Sequence, residues 1–166
     1  MSGIVGVDAS GFDRSHSSKH CTKRAGLTIQ RLKLTLLVDA KVNAILDLHV
    51  TTTRKHDSQI APSVIKRNPE SIEILLGDKG YDDQTIRRLA RQHEVRPLIK
   101  HRRFSSLHEA WNARLDTDLY GQRCQSETVN STLKRKDGAF VRSRRWWKQF
   151  RELTIACLIH TVAQSL

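Results

Sequence analysis

A glutamate in the C-terminal half of the chain has three other functional side chains at helical spacing from it. Within the stretch YGQRCQSETVNSTLK, Tyr120 and Arg123 lie seven and four positions before Glu127, and Lys134 lies seven positions after it. A helix with about 3.6 residues per turn would place all of them on one face. A carboxylate in that position can bind a metal ion, and the neighbouring cations can hold phosphate.

The same spacing is also typical of a solvated helix face. Arg–Glu and Glu–Lys neighbours stabilise exposed helices without any further function. A catalytic interpretation of Glu127 therefore requires partner carboxylates elsewhere in the chain, at positions from which the fold can bring them to the same point.

Two aspartates meet this requirement. Residues 4–8 (IVGVD) and 72–78 (IEILLGD) have the pattern of short buried strands, and each ends in an aspartate, Asp8 or Asp78. If the two strands lie parallel and adjacent, both carboxylates lie at carboxyl ends of strands, where open α/β sheets bind ligands. The alternative is that both aspartates are turn residues, with Gly80 supplying an unusual backbone angle after Asp78.

Three converging carboxylates impose a chemical requirement of their own. Asp8, Asp78 and Glu127 would repel one another and would not all stay ionised unless divalent cations lay between them. Hard oxygen ligands select Mg²⁺ or Mn²⁺. Two such ions about 4 Å apart hold the attacking and leaving oxygens of an in-line phosphoryl transfer. The three residues are therefore candidates for both catalysis and metal binding.

The charge of the chain indicates a polyanionic partner. Twenty-nine Lys and Arg residues against seventeen Asp and Glu residues give a net charge of +12. Nucleic acid is the commonest partner of so basic a protein. General surface basicity is the alternative, but the positive residues cluster in 88–103 and 134–148. This clustering favours contact with nucleic acid.

The cysteine pattern indicates neither a disulfide framework nor a zinc site. Cys21, Cys124 and Cys157 show no paired spacing. His16 and His20 lie near Cys21, yet no fourth ligand stands at a suitable spacing for zinc. Unpaired cysteines fit a reducing cytoplasm.

Length and hydropathy indicate one soluble domain that spans 1–166. A chain of 166 residues with 38% hydrophobic residues can bury a sizeable core. No basic and then apolar leader begins the chain, and the longest apolar run, LTIACLIHTV, is too short to cross a bilayer. We therefore expect a cytoplasmic protein with no membrane partner.

The hydrophobic patterns predict an α/β fold. Strands are predicted over 4–8, 27–38, 44–52, 72–78 and 95–99. Helices are predicted over 57–66, 82–94, 122–135 and 146–164, with a further helical turn at 106–114. Asp57 or Ser58 would cap the first helix, and Asp82 or Asp83 the second. Three strands joined by hairpins, then strands alternating with helices, predict a mixed five-stranded sheet with helices on both faces.

The last predicted helix carries many apolar residues and begins with two tryptophans. We expect its apolar face to consist of Phe150, Leu153, Ile155, Ala156, Leu158 and Ile159. Trp146 and Trp147 either contact an extruded base or the sugar-phosphate backbone, or they pack this helix on the sheet.

Four motifs together resemble the DDE transposases of insertion sequences. They are VDASGF around Asp8, KHDSQIAP at 55–62, LLGDKGYDD at 75–83 and Y-(2)-R-(3)-E-(6)-K at 120–134. The last motif is the Tyr-Arg-Glu-Lys signature of a large bacterial and archaeal group, the insertion-sequence four/five type. The resemblance extends from Ile4 to about Ala163.

This resemblance implies a ribonuclease H-like fold and an enzyme that cuts and joins DNA. Asp8, Asp78 and Glu127 would be the metal-binding triad, with two Mg²⁺ or Mn²⁺ ions. Arg123 and Lys134 would position phosphates near the scissile bond. Tyr120 would do the same through its hydroxyl or would simply pack. The partners would be transposon ends and target DNA, bound by a homodimer on the nucleoid of a prokaryote.

Other functions remain open at this stage. Family members carry an additional N-terminal segment that recognises the transposon ends, whereas only Met-Ser-Gly precedes Ile4 here. We therefore expect either a catalytic-domain fragment or a truncated copy. The alternatives are a metal-dependent nuclease of the same fold that cuts without joining, and a non-catalytic DNA-binding remnant of a transposase. For His56-Asp57 the alternative to a functional role is helix capping by Asp57.

Overall fold

The structure is a computed structural model that describes residues 2–14, 24, 31–52 and 55–166. The strands are β1 Ile4–Asp13, β2 Arg31–Asp39, β3 Ile45–Thr51, β4 Ile74–Gly77 and β5 Arg96–Ile99. The helices are α1 Asp57–Arg67, α2 Gln84–Gln92, α3 Ser106–Ala113, α4 Thr117–Gly121, α5 Cys124–Asp137 and α6 Trp146–Ser165. Short 3-10 turns are Pro69–Ser71 and Lys79–Tyr81. Predictions for 27–30 and for His16, His20 and Cys21 lie outside the described residues.

All five strands form one mixed sheet, in the order β3-β2-β1-β4-β5. The hairpin partners β1, β2 and β3 are antiparallel, as hairpin connections require. Strands β4 and β5, each reached after a helix, lie parallel to their neighbours β1 and β4. The predicted mixed five-stranded sheet is therefore confirmed, including the parallel pairing of the first and fourth predicted strands.

Helices cover both faces of this sheet, as predicted. One face packs with α1 and α2 through Val5, Val7, Leu37, Leu75, Ile60, Val64, Ile86 and Ala90. The opposite face packs with α5 and α6 through Phe12, Leu34, Leu36, Val38, Val129, Leu133, Leu153 and Cys157. Each fully buried aliphatic side chain stabilises the fold by roughly 1.5–3 kcal/mol. Burial on both faces explains why β2 is buried from Leu34 to Asp39 without a break.

The predicted end of the first strand and the predicted cap of the first helix are wrong. Strand β1 continues past Asp8 to Asp13. Its pairing with β4 ends at Gly6, but its pairing with β2 extends to Asp13. His56, and neither Asp57 nor Ser58, occupies the N-cap position of α1. The cap predicted for the second helix is confirmed, because the Asp83 side chain accepts a hydrogen bond from the backbone of Thr85.

The predicted face of the last helix is confirmed for Leu153, which is buried, and for Ala156, which packs against the core, but it is wrong for the other four residues. Phe150, Ile155, Leu158 and Ile159 are exposed, whereas Gln149, Leu153, Cys157 and His160 are buried. The helix has apolar residues of its own on nearly all sides, so their pattern does not select a buried face. Hydrogen bonds made by polar side chains select the buried face instead. One of them joins His160 Nε2 to the Asn43 carbonyl at 3.0 Å.

Gln149 is a second buried polar residue with partners that hold α6 in place. Its Oε1 accepts a hydrogen bond from Arg14 Nε at 2.9 Å, and its Nε2 donates to the Ser143 carbonyl at 2.8 Å. Trp146 and Trp147 are 64% and 37% exposed, and the two alternatives given for them stay predictions. Among the described helices, none combines the length and the apolar character that crossing a membrane requires.

Asp39 joins the start of β1 to the end of β2. Its carboxylate is buried and accepts hydrogen bonds from the backbone and hydroxyl of Ser2, at 2.8 and 2.7 Å, and from the backbone of Lys41 at 2.9 Å. Burial alone would raise the pKa of Asp39, but these hydrogen bonds outweigh burial and hold the pKa below the ordinary value of 3.8.

We predict that Asp39→Ala lowers the free energy of unfolding at pH 7 by about 2–4 kcal/mol, because several donors lose their acceptor. The folded-state pKa lies below the unfolded value, so this stabilisation is present above the unfolded pKa and is lost as pH falls through the folded pKa. Urea denaturation at pH 7 and at pH 3 should therefore show a smaller difference at pH 3. Equal differences at both pH values would contradict this origin.

Candidate active site

Asp8 and Asp78 occupy equivalent positions on neighbouring parallel strands. The last parallel pair between β1 and β4 is Gly6 with Leu76, and each aspartate lies two residues beyond its member of that pair. Neighbouring strands run about 4.8 Å apart, so equal registers bring the two carboxylates to the same edge of the sheet. The parallel pairing, and not the end of a strand, is what brings Asp8 to Asp78.

Asp8 is held by an amide on α5. Asn130 is 4% exposed, and its Nδ2 donates a hydrogen bond to Asp8 Oδ2 at 2.9 Å. Burial raises the pKa of Asp8, the hydrogen bonds from Asn130 and Ala9 oppose this, and the negative charges of Glu127 and Asp78 raise the pKa further. The net pKa of Asp8 lies above 3.8, and burial is the largest cause.

Asp78 is held by the turn that follows β4. Its Oδ1 accepts a hydrogen bond from the backbone of Gly80 at 2.7 Å, and this caps the turn Lys79–Tyr81. A Cβ on Gly80 would lie 2.8 Å from Asp78 Oδ1, so a larger residue here would displace that carboxylate. The unusual backbone angle considered for Gly80 is absent, because its φ lies outside the positive region.

Glu127 lies in the first turn of α5, and the prediction of one continuous helix for its neighbours is wrong. Tyr120 belongs to the separate helix α4, and a turn at Gln122 and Arg123, both in the right-handed helical region, joins it to α5. Arg123 forms an ion pair with Glu127, and its guanidinium carbon lies 5.7 Å from the centre of the Tyr120 ring. The phenol, the guanidinium and the carboxylate therefore lie together.

Lys134 lies two turns further along α5 than Glu127. Its Nζ is 5.5 Å from the centre of the Phe12 ring, near the far end of β1. The side chain therefore lies along the sheet beyond Asp8. Its predicted role as a phosphate-binding residue stays a prediction.

The close approach of α5 to β1 depends on two small residues. A Cβ on Gly6 would lie 3.1 Å from Ser126 Oγ, so the helix packs directly against the strand backbone. Ser126 is 1% exposed, and its hydroxyl donates to the Arg123 carbonyl at 2.8 Å. This contact brings the part of α5 that carries Glu127 and Asn130 close to β1. Sequence reasoning did not identify Asn130, because one asparagine in a helix has no distinguishing pattern.

A fourth carboxylate, Asp57, also faces this edge of the sheet. Its Oδ1 forms an ion pair at 2.6 Å with Lys33 of β2, and its Oδ2 lies 3.7 Å from where a Cβ of Gly80 would be. Sequence reasoning preferred a cap for Asp57 because an aspartate at a helix start is usually one. The motif KHDSQIAP was the signal that favoured a functional role.

Tyr81 lies beneath these carboxylates. Its side chain is 1% exposed, and within the described part of the chain its hydroxyl has no hydrogen-bond partner. Burial raises its pKa strongly, and the charges of Asp57, Asp8 and Asp78 raise it further, so the hydroxyl stays protonated. A buried neutral phenol thus forms the floor of an acidic site.

The donor set suits a hard divalent cation. Carboxylate oxygens are the ligands that Mg²⁺ and Mn²⁺ prefer, and Asn130 adds a buried amide oxygen that has no hydrogen-bond partner among the described residues. In the side-chain arrangement described for these residues, however, no three His, Cys, Asp or Glu side chains converge closely enough to enclose an ion. Glu127 instead pairs with Arg123, and Asp78 accepts from Gly80.

Comparison with known proteins adds one match that covers almost the whole chain. The model of a protein family described as a transposase DDE domain matches residues 2–162. The match includes both strands that carry the aspartates and the helix that carries Glu127. No curated protein matches the chain.

We predict that Asp8→Asn stabilises the metal-free protein by about 1 kcal/mol at pH 7. The folded-state pKa of Asp8 is raised, so its stabilising contribution is present below the unfolded pKa and is lost as pH rises through the folded pKa. The amide of the variant carries no charge at any pH, so the cost of ionising a carboxyl group at this position is removed. Urea denaturation in EDTA should show the gain at pH 7 and none near pH 3. Asp13→Asn, on the same strand, is the matched control and should not stabilise; an Asp8→Asn variant that is less stable at pH 7 would contradict this prediction.

We also predict that Lys33 and Asp57 are energetically coupled by roughly 1 kcal/mol, because both side chains are less than one-third exposed. A double-mutant cycle with Lys33→Met and Asp57→Asn, followed by urea denaturation, measures this coupling. The more exposed pair Arg67–Asp47 is the comparison and should couple less strongly. A coupling near zero for Lys33 and Asp57 would mean that the pair does not fix the position of Asp57.

Proposed function

Because the chain belongs to the transposase DDE domain family, we propose that it cleaves DNA at the ends of an insertion sequence and joins those ends to target DNA in a metal-dependent reaction. The main supporting observation is that Asp8 and Asp78 stand in equal register beside the parallel pairing of β1 and β4. Glu127 lies close enough for its negative charge to raise the pKa of Asp8. Carboxylates that repel one another in this way are expected where a cation is bound.

We assign Asp8, Asp78 and Glu127 as the metal-binding and catalytic residues, with Asn130 as the residue that orients Asp8. Two Mg²⁺ or Mn²⁺ ions, when bound, would supply charge neutralisation and activation of the attacking oxygen. The protein itself orients the ligands. Asn130 fixes one carboxylate by a 2.9 Å hydrogen bond, and the Gly80 backbone fixes that of Asp78 at 2.7 Å.

Arg123, Tyr120 and Lys134 are the proposed phosphate-binding residues. Arg123 neutralises Glu127 through their ion pair, and this pairing keeps a guanidinium beside the catalytic carboxylate. When Glu127 turns towards Asp8 and Asp78, the fork of N–H donors on Arg123 becomes available to a DNA phosphate. The Tyr120 hydroxyl stays protonated, because burial raises its pKa, and it can donate a hydrogen bond to the same phosphate.

The partners we propose are transposon-end DNA and target DNA. The net charge of +12 supports binding to a polyanion, and the carboxylates of Asp8, Asp78 and Glu127 support phosphoryl transfer between polynucleotides. Assembly as a homodimer on DNA, in the cytoplasm of a prokaryote, is proposed from the resemblance to insertion-sequence transposases of the four/five type.

The proposal predicts Mg²⁺- or Mn²⁺-dependent nicking of DNA, and joining of a pre-cut 3′-hydroxyl end to a supercoiled plasmid. Oligonucleotides that carry the DNA flanking this gene are the substrates. Glu127→Gln removes one anionic ligand and should lower the rate by about 10²-fold or more. Glu70→Gln, an exposed glutamate away from the site, is the control and should leave the rate unchanged.

Three results would contradict the proposal in different ways. Unchanged nicking by Glu127→Gln would exclude the assigned triad. Nicking without any joined product would identify a nuclease. DNA binding by the wild-type protein with no cleavage in either metal would identify a non-catalytic DNA-binding protein.

A further inference from the structure

Three cations from two distant stretches of the chain line one cleft beside the candidate active site. Lys79 follows β4, and Lys100 and Arg103 follow β5. Together with Glu109, Asn112 and Ala113 of α3, they enclose a cleft of about 470 Å³. Glu109 is the one carboxylate among these lining residues, so the cleft is cationic.

The cationic wall is held by an ion pair beneath it. Arg87 is 5% exposed, pairs with Asp82 at 2.7 Å and donates to the Ile99 carbonyl at 2.9 Å. Arg102 then joins the two stretches, because its backbone donates to Asp82 Oδ2 at 2.8 Å and its Nε donates to the Lys79 carbonyl at 3.0 Å. The turn with Lys79 and the segment after β5 are therefore fixed relative to each other.

The opposite wall, α3, is fixed to the same segment by a reciprocal pair of hydrogen bonds. Asn112 Oδ1 accepts from the backbone of His101 at 2.8 Å, and Asn112 Nδ2 donates to the His101 carbonyl at 3.0 Å. The His101 ring also contacts the Trp111 ring, with 4.9 Å between ring centres. Both walls are thus held in place before any ligand binds, which reduces the entropy lost on binding.

The cleft adjoins the catalytic residues. Lys79 directly follows Asp78, and Lys100 Nζ lies 4.7 Å from the centre of the Tyr120 ring. Arg123, the ion-pair partner of Glu127, contacts that same ring. A chain of phosphates bound near Asp78 would therefore pass directly into the cleft.

We propose that this cleft binds the sugar-phosphate backbone of the DNA strand that continues from the scissile phosphodiester, through Lys79, Lys100 and Arg103. This assignment rests on the proposed function, and it adds a binding surface to it. Phosphates are the ligands that clustered lysine and arginine side chains recognise without regard to sequence. The exposed rings of Phe104 and Trp111, 78% and 42% exposed, lie next in sequence to cleft residues and can stack on unpaired bases.

The experiment measures binding of a fluorescently labelled DNA strand by anisotropy at several salt concentrations, in EDTA so that no cleavage occurs. The test variant is Lys100→Ala with Arg103→Ala. The matched control is Arg88→Ala with Arg91→Ala, which removes two exposed cations from the same basic stretch but none from the cleft. Lys79 stays unchanged because it adjoins Asp78.

We expect the cleft variant to bind about 10-fold more weakly and the control to bind within about twofold of wild type. Loss of two phosphate contacts should also reduce the slope of log affinity against log salt by about 1.4 for a single strand. Asn112→Ala keeps every cation but releases the α3 wall, so it should weaken binding with an unchanged slope. Thermal unfolding of each variant checks that the fold persists.

Equal weakening in the cleft variant and the control, or no weakening in either, would overturn the proposal, because binding would then be spread over the basic surface. Tighter binding of an RNA strand of the same sequence, with the same dependence on Lys100 and Arg103, would overturn the assignment to DNA. Failure of the proposed function is a separate result. A wild-type protein that never nicks DNA, yet binds through the cleft, contradicts the catalysis and supports the binding surface.

Discussion

The parallel pairing of β1 with β4 is the constraint on which the rest of the structure depends. It places Asp8 and Asp78 in equal register, and it does so at a cost, because like charges repel in a partly buried environment. The surrounding groups counter that cost one carboxylate at a time. Asn130 donates to Asp8, the Gly80 backbone donates to Asp78, and Arg123 neutralises Glu127. Each of the three carboxylates therefore has its own polar partner near this edge.

Two layers of helices make this arrangement rigid. The α1 and α2 layer carries Asp57 and packs against the turn that holds Asp78. The α5 and α6 layer carries Glu127 and Asn130, and it approaches β1 closely because Gly6 and Ser126 are small. Each layer thus brings its own charged group to the same strand edge. The sheet between them supplies the aspartates, and neither layer would form the site without the other.

Much of the fold was predictable because it follows from local patterns. Hydrophobic alternation located the strands, and the two strand-borne aspartates and Glu127 were recognised from motifs. Local patterns do not show which face of an apolar helix is buried, or which distant residue a polar side chain contacts. The apolar α6 buries Gln149 and His160 because distant carbonyls and Arg14 bind them. Asp57 was assigned to a cap because it begins a helix, and its ion pair with Lys33 was not foreseen because the two residues are far apart in the chain.

The glycine at the contact between β1 and α5 has a genetic consequence. Any glycine codon becomes an alanine or valine codon through one base change, and at Gly6 the added carbon would press on Ser126. The helix would then stand slightly further from the strand, and Glu127 would move with it. Such an allele would encode a folded protein with a misaligned carboxylate. Under the proposed function, it would bind DNA without cutting it, and so would compete with intact copies.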